Sequence, residues 1–228
     1  FAMGDPSPYV ERAHAAGAKV MMMVTNPFAV ARMVSTGVDV LVAQGSEAGG
    51  HRSILPLPPG DPEMSTLTLV PRMVANAGPT PVVAAGGVMS GGGLVAALSV
   101  GASGVSMGTR FLLCAECGLT QAAKSWLQEA DGADTVITAG LTGRPARALP
   151  NGLQHVVDYT PGLKTLRWPL MGAVADDVYA GAAAAGRPEW QPLYAGQGLG
   201  AARAIEPAAE VVRQVVAEAA ALLGEPSP

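Results

Sequence analysis

The chain has 228 residues, 49% hydrophobic and only 14% charged, with a net charge of −4; this composition buries a substantial core and excludes a disordered polypeptide. It carries no basic block and no Lys/Arg run interleaved with aromatics, which argues against nucleic acid as a partner. No apolar run approaches the ~18 residues of a membrane span, the first residues lack the order of a signal peptide, and two cysteines are too few for a disulfide scaffold, so a cytoplasmic enzyme is the expectation.

In chain order, residues 8–16 form a helix that Gly17 stops, because glycine tolerates the positive φ of a helix end. Residues 19–25 are a continuous apolar strand, and Thr25-Asn26-Pro27 starts a helix over 28–35 that ends at Gly37. Residues 38–43 are the next strand, followed by a Gly/Pro-rich loop over 44–62. A helix over 67–76, a strand over 81–85, a helix over 92–100 and a strand over 104–107 follow, then a helix beginning near Arg110. Short apolar runs without polar alternation indicate strands buried on both faces, and strands separated by single helices imply parallel βαβ units. Periodicity alone leaves a barrel and a doubly wound sheet equally open.

Beyond residue 118 the pattern changes. Residues 119–130 and 169–185 are helical, with an irregular stretch over 138–162 between them. A last helix spans 207–223, with Pro207 at its start and Gly224 at its end. Its apolar positions Val211, Val212, Val215, Val216, Ala219, Ala220 and Leu223 make a stripe that packs on the body of the protein.

Three clusters carry chemistry. Gln44-Gly45-Ser46-Glu47-Ala48-Gly49-Gly50-His51-Arg52 follows a buried strand, at the end where parallel α/β proteins build their sites. Its glycines let backbone approach a flat ring or a phosphate, and His51 exchanges a proton near neutral pH; a surface loop with an incidental histidine has the same composition. Ala84-Ala85-Gly86-Gly87-Val88 follows the next strand, with Ser90-Gly91-Gly92-Gly93 opening a helix whose free N–H groups suit an anion; a glycine-rich strand-to-helix turn without any ligand reads the same way. Ser106-Met107-Gly108-Thr109-Arg110 follows the strand after that. Two consecutive strand ends with glycines match the phosphate pocket found after the last two strands of many barrels.

Together, "QGSEAGGHR", "PVVAAGGV", "GVSMGTRFL", "GRPAR" and "YAGQGLG" near Tyr194 resemble the nitronate monooxygenase (2-nitropropane dioxygenase) family of FMN-dependent flavoproteins. The resemblance implies an α/β fold of the TIM-type (β/α)8 barrel kind. Residues 1–118 would be its second half, strands five to eight, and residues 119–228 a mainly helical C-terminal region packing on the barrel. Phe1 would then lie at the end of strand four, leaving a half-barrel with two open sheet edges: either the chain is a fragment, or the other half comes from elsewhere, or the ring closes in an unfamiliar way. It further implies FMN as cofactor, with Gln44, Gly49 and Gly50 at the flavin and Gly86, Gly87, Ser106, Met107, Gly108 and Thr109 at its phosphate. His51 would be the catalytic residue, the partners an alkyl nitronate or nitroalkane and O2, and the products a carbonyl compound and nitrite. FMN-dependent NAD(P)H reductases of quinones or enoyl thioesters carry similar "EAGGH" and "GTRF" segments, and a truncated barrel without activity is a third reading.

Other residues weigh less. Cys114 and Cys117 lack the further ligands of a metal site, so no metal is expected and both are read as buried thiols. Met21, Met22 and Met23 read as core. Arg144 and Arg147 would meet acidic groups of a neighbouring subunit in a homodimer, or solvent. Glu47, beside the glycines, could set the orientation of His51, though the sequence does not give the direction of its side chain. His14 and His155 have no assigned partner.

Overall fold

The apolar runs of the first half become a parallel sheet flanked by helices in the computed structural model, which describes residues 1–55 and 60–224. In chain order the elements are α1 (Ser7–Ala15), β1 (Met21–Val24), α2 (Val30–Ser35), β2 (Val40–Gln44), β3 (Gly50–His51), α3 (Thr66–Ala77), β4 (Val82–Ala85), α4 (Gly91–Ser99) and β5 (Gly104–Ser106). Then follow α5 (Gln121–Glu129), β6 (Val136–Thr138), β7 (Ala146–Ala148), α6 (Gly152–Tyr159), α7 (Leu170–Ala184) and α8 (Ala208–Leu223). They divide between two compact units: Phe1–Ala48, Arg52–Met107 and the chain from Arg213 onward form the first, and Gly49–His51 with Gly108–Val212 the second.

The first unit holds the parallel sheet, in the order β1-β2-β4-β5. Its central strands are the more buried, while Met21 at 43% exposure and Ser106 face outward from the two outer strands. Met21 is therefore not core, as the run of three methionines suggested; Met22, its neighbour on the opposite face, is fully buried. Met22, Met33, Leu41, Leu69, Val70 and Met73 anchor the core, each buried aliphatic side chain contributing about 1.5–3 kcal/mol. That burial explains why α3 runs through Pro71: an interior proline costs about 3 kcal/mol, less than the stripe of Leu69, Val70, Met73 and Ala77 returns.

Within the same unit, α8 packs through its later turns. A Cβ on Gly91 would strike the backbone of Ala219, so only glycine lets α4 begin there. The buried stripe of α8 is narrower than its sequence suggests: Val211, Val215 and Ala219 are buried, whereas Val212, Val216 and Leu223 are exposed.

The second unit contains an antiparallel sheet, β3-β7-β6, that periodicity does not reveal. Its strands are two or three residues long, too short to show alternation. The loop over 44–62 thus contains a strand, with residues 56–59 lying outside the described part, and the irregular stretch over 138–162 contains β7 and α6. The helix expected near Arg110 is only a 3-10 turn, Thr109–Phe111. A second core of Leu113, Ala123, Leu127, Leu149, Leu193, Ala195 and Leu199 holds this unit. Among the described residues, no helix is long and apolar enough to cross a membrane.

Candidate active site

The loop after β2 is organised in the first unit by a buried ion. Arg52, fully buried, donates to Asp61 Oδ2 at 2.7 Å and Oδ1 at 3.2 Å, and to the carbonyls of Gln44 and Gly45. Gln44 is equally buried, and its Oε1 accepts from the Ser53 N–H at 2.8 Å. Glu47 caps a helix of its own unit. Its carboxylate accepts from the Thr66 N–H at 2.9 Å and from the Thr66 hydroxyl at 3.1 Å, neutralising the positive end of α3, where Ser65 makes no cap of its own.

The two glycine-bearing strand ends lie side by side, since β4 and β5 pair in parallel with Ala85 opposite Ser106. Gly86 and Gly87 follow with φ of +116° and +73°, conformations that side-chain-bearing residues avoid. A Cβ on Gly86 would lie 2.8 Å from the Ala48 nitrogen, so the turn seats against the loop after β2. The α4 start, expected to offer free amides, is capped from within. The Gly91 N–H donates to Glu218 at 2.7 Å, and Ser90 Oγ accepts from Gly93.

The second unit gathers the remaining residues around one strip of chain, 194–196. A Cβ on Gly49 would sit 2.7 Å from the Ala195 carbonyl carbon and the Gly196 nitrogen, so backbone crosses backbone where only glycine fits. The Gly196 N–H donates to Thr109 Oγ1 at 2.9 Å, and the Tyr194 ring lies 5.2 Å from the His51 ring. The strip therefore ties Thr109 to Gly49 and His51. Gly108 has no atom within 4 Å of where a Cβ would stand, and Gly50 adopts φ +84° with equally open space beside it.

His51 sits in β3, opposite Ala146 of β7. Its Nε2 lies 2.8 Å from Thr142 Oγ1, and the Trp168 ring stands edge-on at 5.3 Å. Burial first, and the nearby Arg144 cation second, hold the imidazole pKa below its ordinary value of 6.5, so the ring is neutral at neutral pH. Burial also lowers the pKa of Arg144 and raises that of the Tyr194 phenol.

Arg147 is not a surface or intersubunit cation: it is buried and donates to the Thr135 carbonyl and hydroxyl at 3.2 and 3.0 Å. Arg110 is likewise committed, to Glu206 at 2.8 Å. His14 pairs with Asp39, which also binds Lys19. Cys114 is buried and Cys117 half-buried, and both are free thiols. Thr142, Trp168, Tyr194 and Arg144 gain roles about His51 that sequence reading did not give them. The only signals were the "GRPAR" and "YAGQGLG" segments, whose resemblance said nothing of what their residues touch.

This arrangement defines an α/β protein with a parallel sheet, glycine turns at two adjacent strand ends and a neutral, half-buried histidine on the loop of the preceding strand. The family model described as Nitronate monooxygenase matches residues 1–218, and the chain belongs to that family. It is 40% identical over 214 residues to the nitronate monooxygenase of Pseudomonas aeruginosa, covering 93% of this chain and 60% of that protein. It is 33% identical to the nitronate monooxygenase of Paraburkholderia phytofirmans, covering 96% and 59%. Among solved structures, the nitroalkane oxidase of Streptomyces ansochromogenes superposes with a TM-score of 0.85 at 32% identity, over 97% of this chain and 63% of that one. FabK of Thermotoga maritima gives 0.79 at 27% identity, over 97% and 67%. The chain thus spans about three fifths of the length of these curated relatives.

Proposed function

We propose that this chain is the cofactor- and base-bearing part of an FMN-dependent nitronate monooxygenase, which oxidises alkyl nitronates with O2 to a carbonyl compound and nitrite. In this reading β1, β2, β4 and β5 are strands five to eight of a β/α barrel within residues 1–118, and residues 119–228 are the region that packs on it. The observation that carries the proposal is the setting of His51: a half-buried imidazole held by Thr142 and touched by two aromatic rings.

The residues present fit the phosphate end of FMN. Gly86 and Gly87 adopt positive-φ conformations, beside the strand that ends in Ser106, with Met107 next in the chain. Gly108 and Thr109 follow directly in the chain, and the space beside Gly108 is open. These six residues would hold the phosphate, with Gln44, Gly49 and Gly50 at the flavin ring. When bound, FMN supplies the one-electron chemistry between nitronate and O2.

The protein's own groups orient the substrate and handle its proton. His51, neutral because it is desolvated, accepts a proton from the carbon bearing the nitro group when the neutral nitroalkane arrives. Arg144, whose positive charge His51 feels, steadies the negative nitro oxygens. Trp168 and Tyr194 keep the reacting carbon in apolar surroundings. Replacing His51 with Asn in the full-length protein abolishes nitronate turnover while FMN stays bound; undiminished turnover in that variant removes His51 from the mechanism.

A further inference from the structure

Trp168 is 45% exposed, although an indole has more apolar surface to hide than any other side chain. It lies near the end of the segment 160–169, between α6 and α7, which forms neither helix nor strand and whose residues are all exposed. The segment is fixed where it crosses Gly143. The Trp168 N–H donates to the Gly143 carbonyl at 3.3 Å, and Gly143, at φ +86°, would with a Cβ stand 2.5 Å from the Trp168 nitrogen. The crossing aims the indole at His51, edge-on at 5.3 Å and 70°, instead of into either hydrophobic core.

The two rings beside His51 are held differently. Tyr194 belongs to the strip locked by Gly49 and Thr109 and is a fixed wall. Trp168 lies on an irregular segment, held by the backbone crossing at Gly143 with its ring edge-on to the imidazole. The ring contact with His51, fixed by the Gly143 crossing, sets the indole beside the candidate base.

We propose that Trp168 is the specificity-determining wall of the His51 site, restricting it to small, unbranched alkyl nitronates. The proposal rests on the nitronate reading above and adds the size and shape of the alkyl group. Bulk that meets the indole must displace it, whereas a short chain lies along it. The hydrophobic contact also favours an apolar chain over a polar one of the same length.

The test uses the flavin-loaded full-length enzyme and compares kcat/KM for a short linear nitronate with that for a branched one. Trp168→Ala should raise the branched-to-linear ratio about tenfold, the scale on which apolar pockets discriminate, with Trp168→Phe between Ala and wild type. A ratio within twofold of wild type in Trp168→Ala overturns the proposal. A wild-type enzyme inert towards every nitronate defeats the functional reading instead. The wall is then judged by the rate at which diethyl pyrocarbonate modifies His51: a several-fold faster reaction in Trp168→Ala sustains it, and an unchanged rate overturns it.

Discussion

Thr142 has a buried hydroxyl whose bond to His51 spans 91 residues of sequence. A hydroxyl in that position fixes the ring plane and selects which nitrogen carries the proton. Thr142→Val keeps the shape and removes the bond, at a net cost of about 1 kcal/mol. The variant should lose roughly five- to tenfold in kcat/KM for nitroalkane, with Thr142→Ser close to wild type. An unaltered rate in Thr142→Val would show that the bond does not position the base. The pH profile tests the same group. The folded pKa of His51 is depressed, so the neutral base persists as pH falls through 6.5 and is lost only further down. The acid limb of kcat/KM should therefore lie below pH 6.5; a limb above it would mean the group is not desolvated as described. His51 stands out in the sequence as the one imidazole in a glycine-rich loop after a strand. Its partners do not, because a contact so distant in sequence leaves no periodicity or spacing to read.

The loop after β2 is the element on which the proposed site depends, and two neighbouring glycines within it are used differently. Gly49→Ala places a methyl group 2.7 Å from the backbone of Ala195 and Gly196, forcing the strip that carries Tyr194 to move; overpacking of this kind costs about 1–3 kcal/mol. Gly50→Ala meets no atom but must hold φ +84°, at about 1–2 kcal/mol. Both variants should therefore melt lower, but only Gly49→Ala should disturb the Tyr194 and His51 ring resonances in an NMR spectrum. Equal spectra from the two would remove the backbone crossing as the reason for glycine at 49. Arg52→Leu strands the Asp61 carboxylate and frees two carbonyls, and unfolding measurements should show a loss of about 3–5 kcal/mol.

Sequence reading found the four parallel strands and their helices to within a few residues, because β2 and β4 are continuous apolar runs bounded by Gly or Pro. It missed β3, β6 and β7, whose two or three residues carry no pattern, and it made Arg147 a surface group because a charged residue in a short strand looks like a loop. Gly86 and Gly87 were legible as a turn. The helix behind them was read as an open anion site because Glu218, which caps it, lies 127 residues further on.

For the molecule as a whole, the chain belongs to the nitronate monooxygenase family over nearly all its length while spanning about three fifths of its curated relatives. Flavin capture should stabilise the full-length protein by about 2.7 kcal/mol at a hundredfold excess over Kd, visible as a rise in melting temperature with added FMN. Gly108→Val fills the open space beside the proposed phosphate and should abolish that rise while His51 titrates as before. The decisive measurement is anaerobic mixing of the flavin-loaded full-length enzyme with an alkyl nitronate or, separately, with NADPH. Prompt loss of the flavin's visible absorbance with the nitronate, and none with NADPH, is the predicted result. Prompt bleaching by NADPH alone would make the protein a reductase and contradict the oxidation of nitronates at His51.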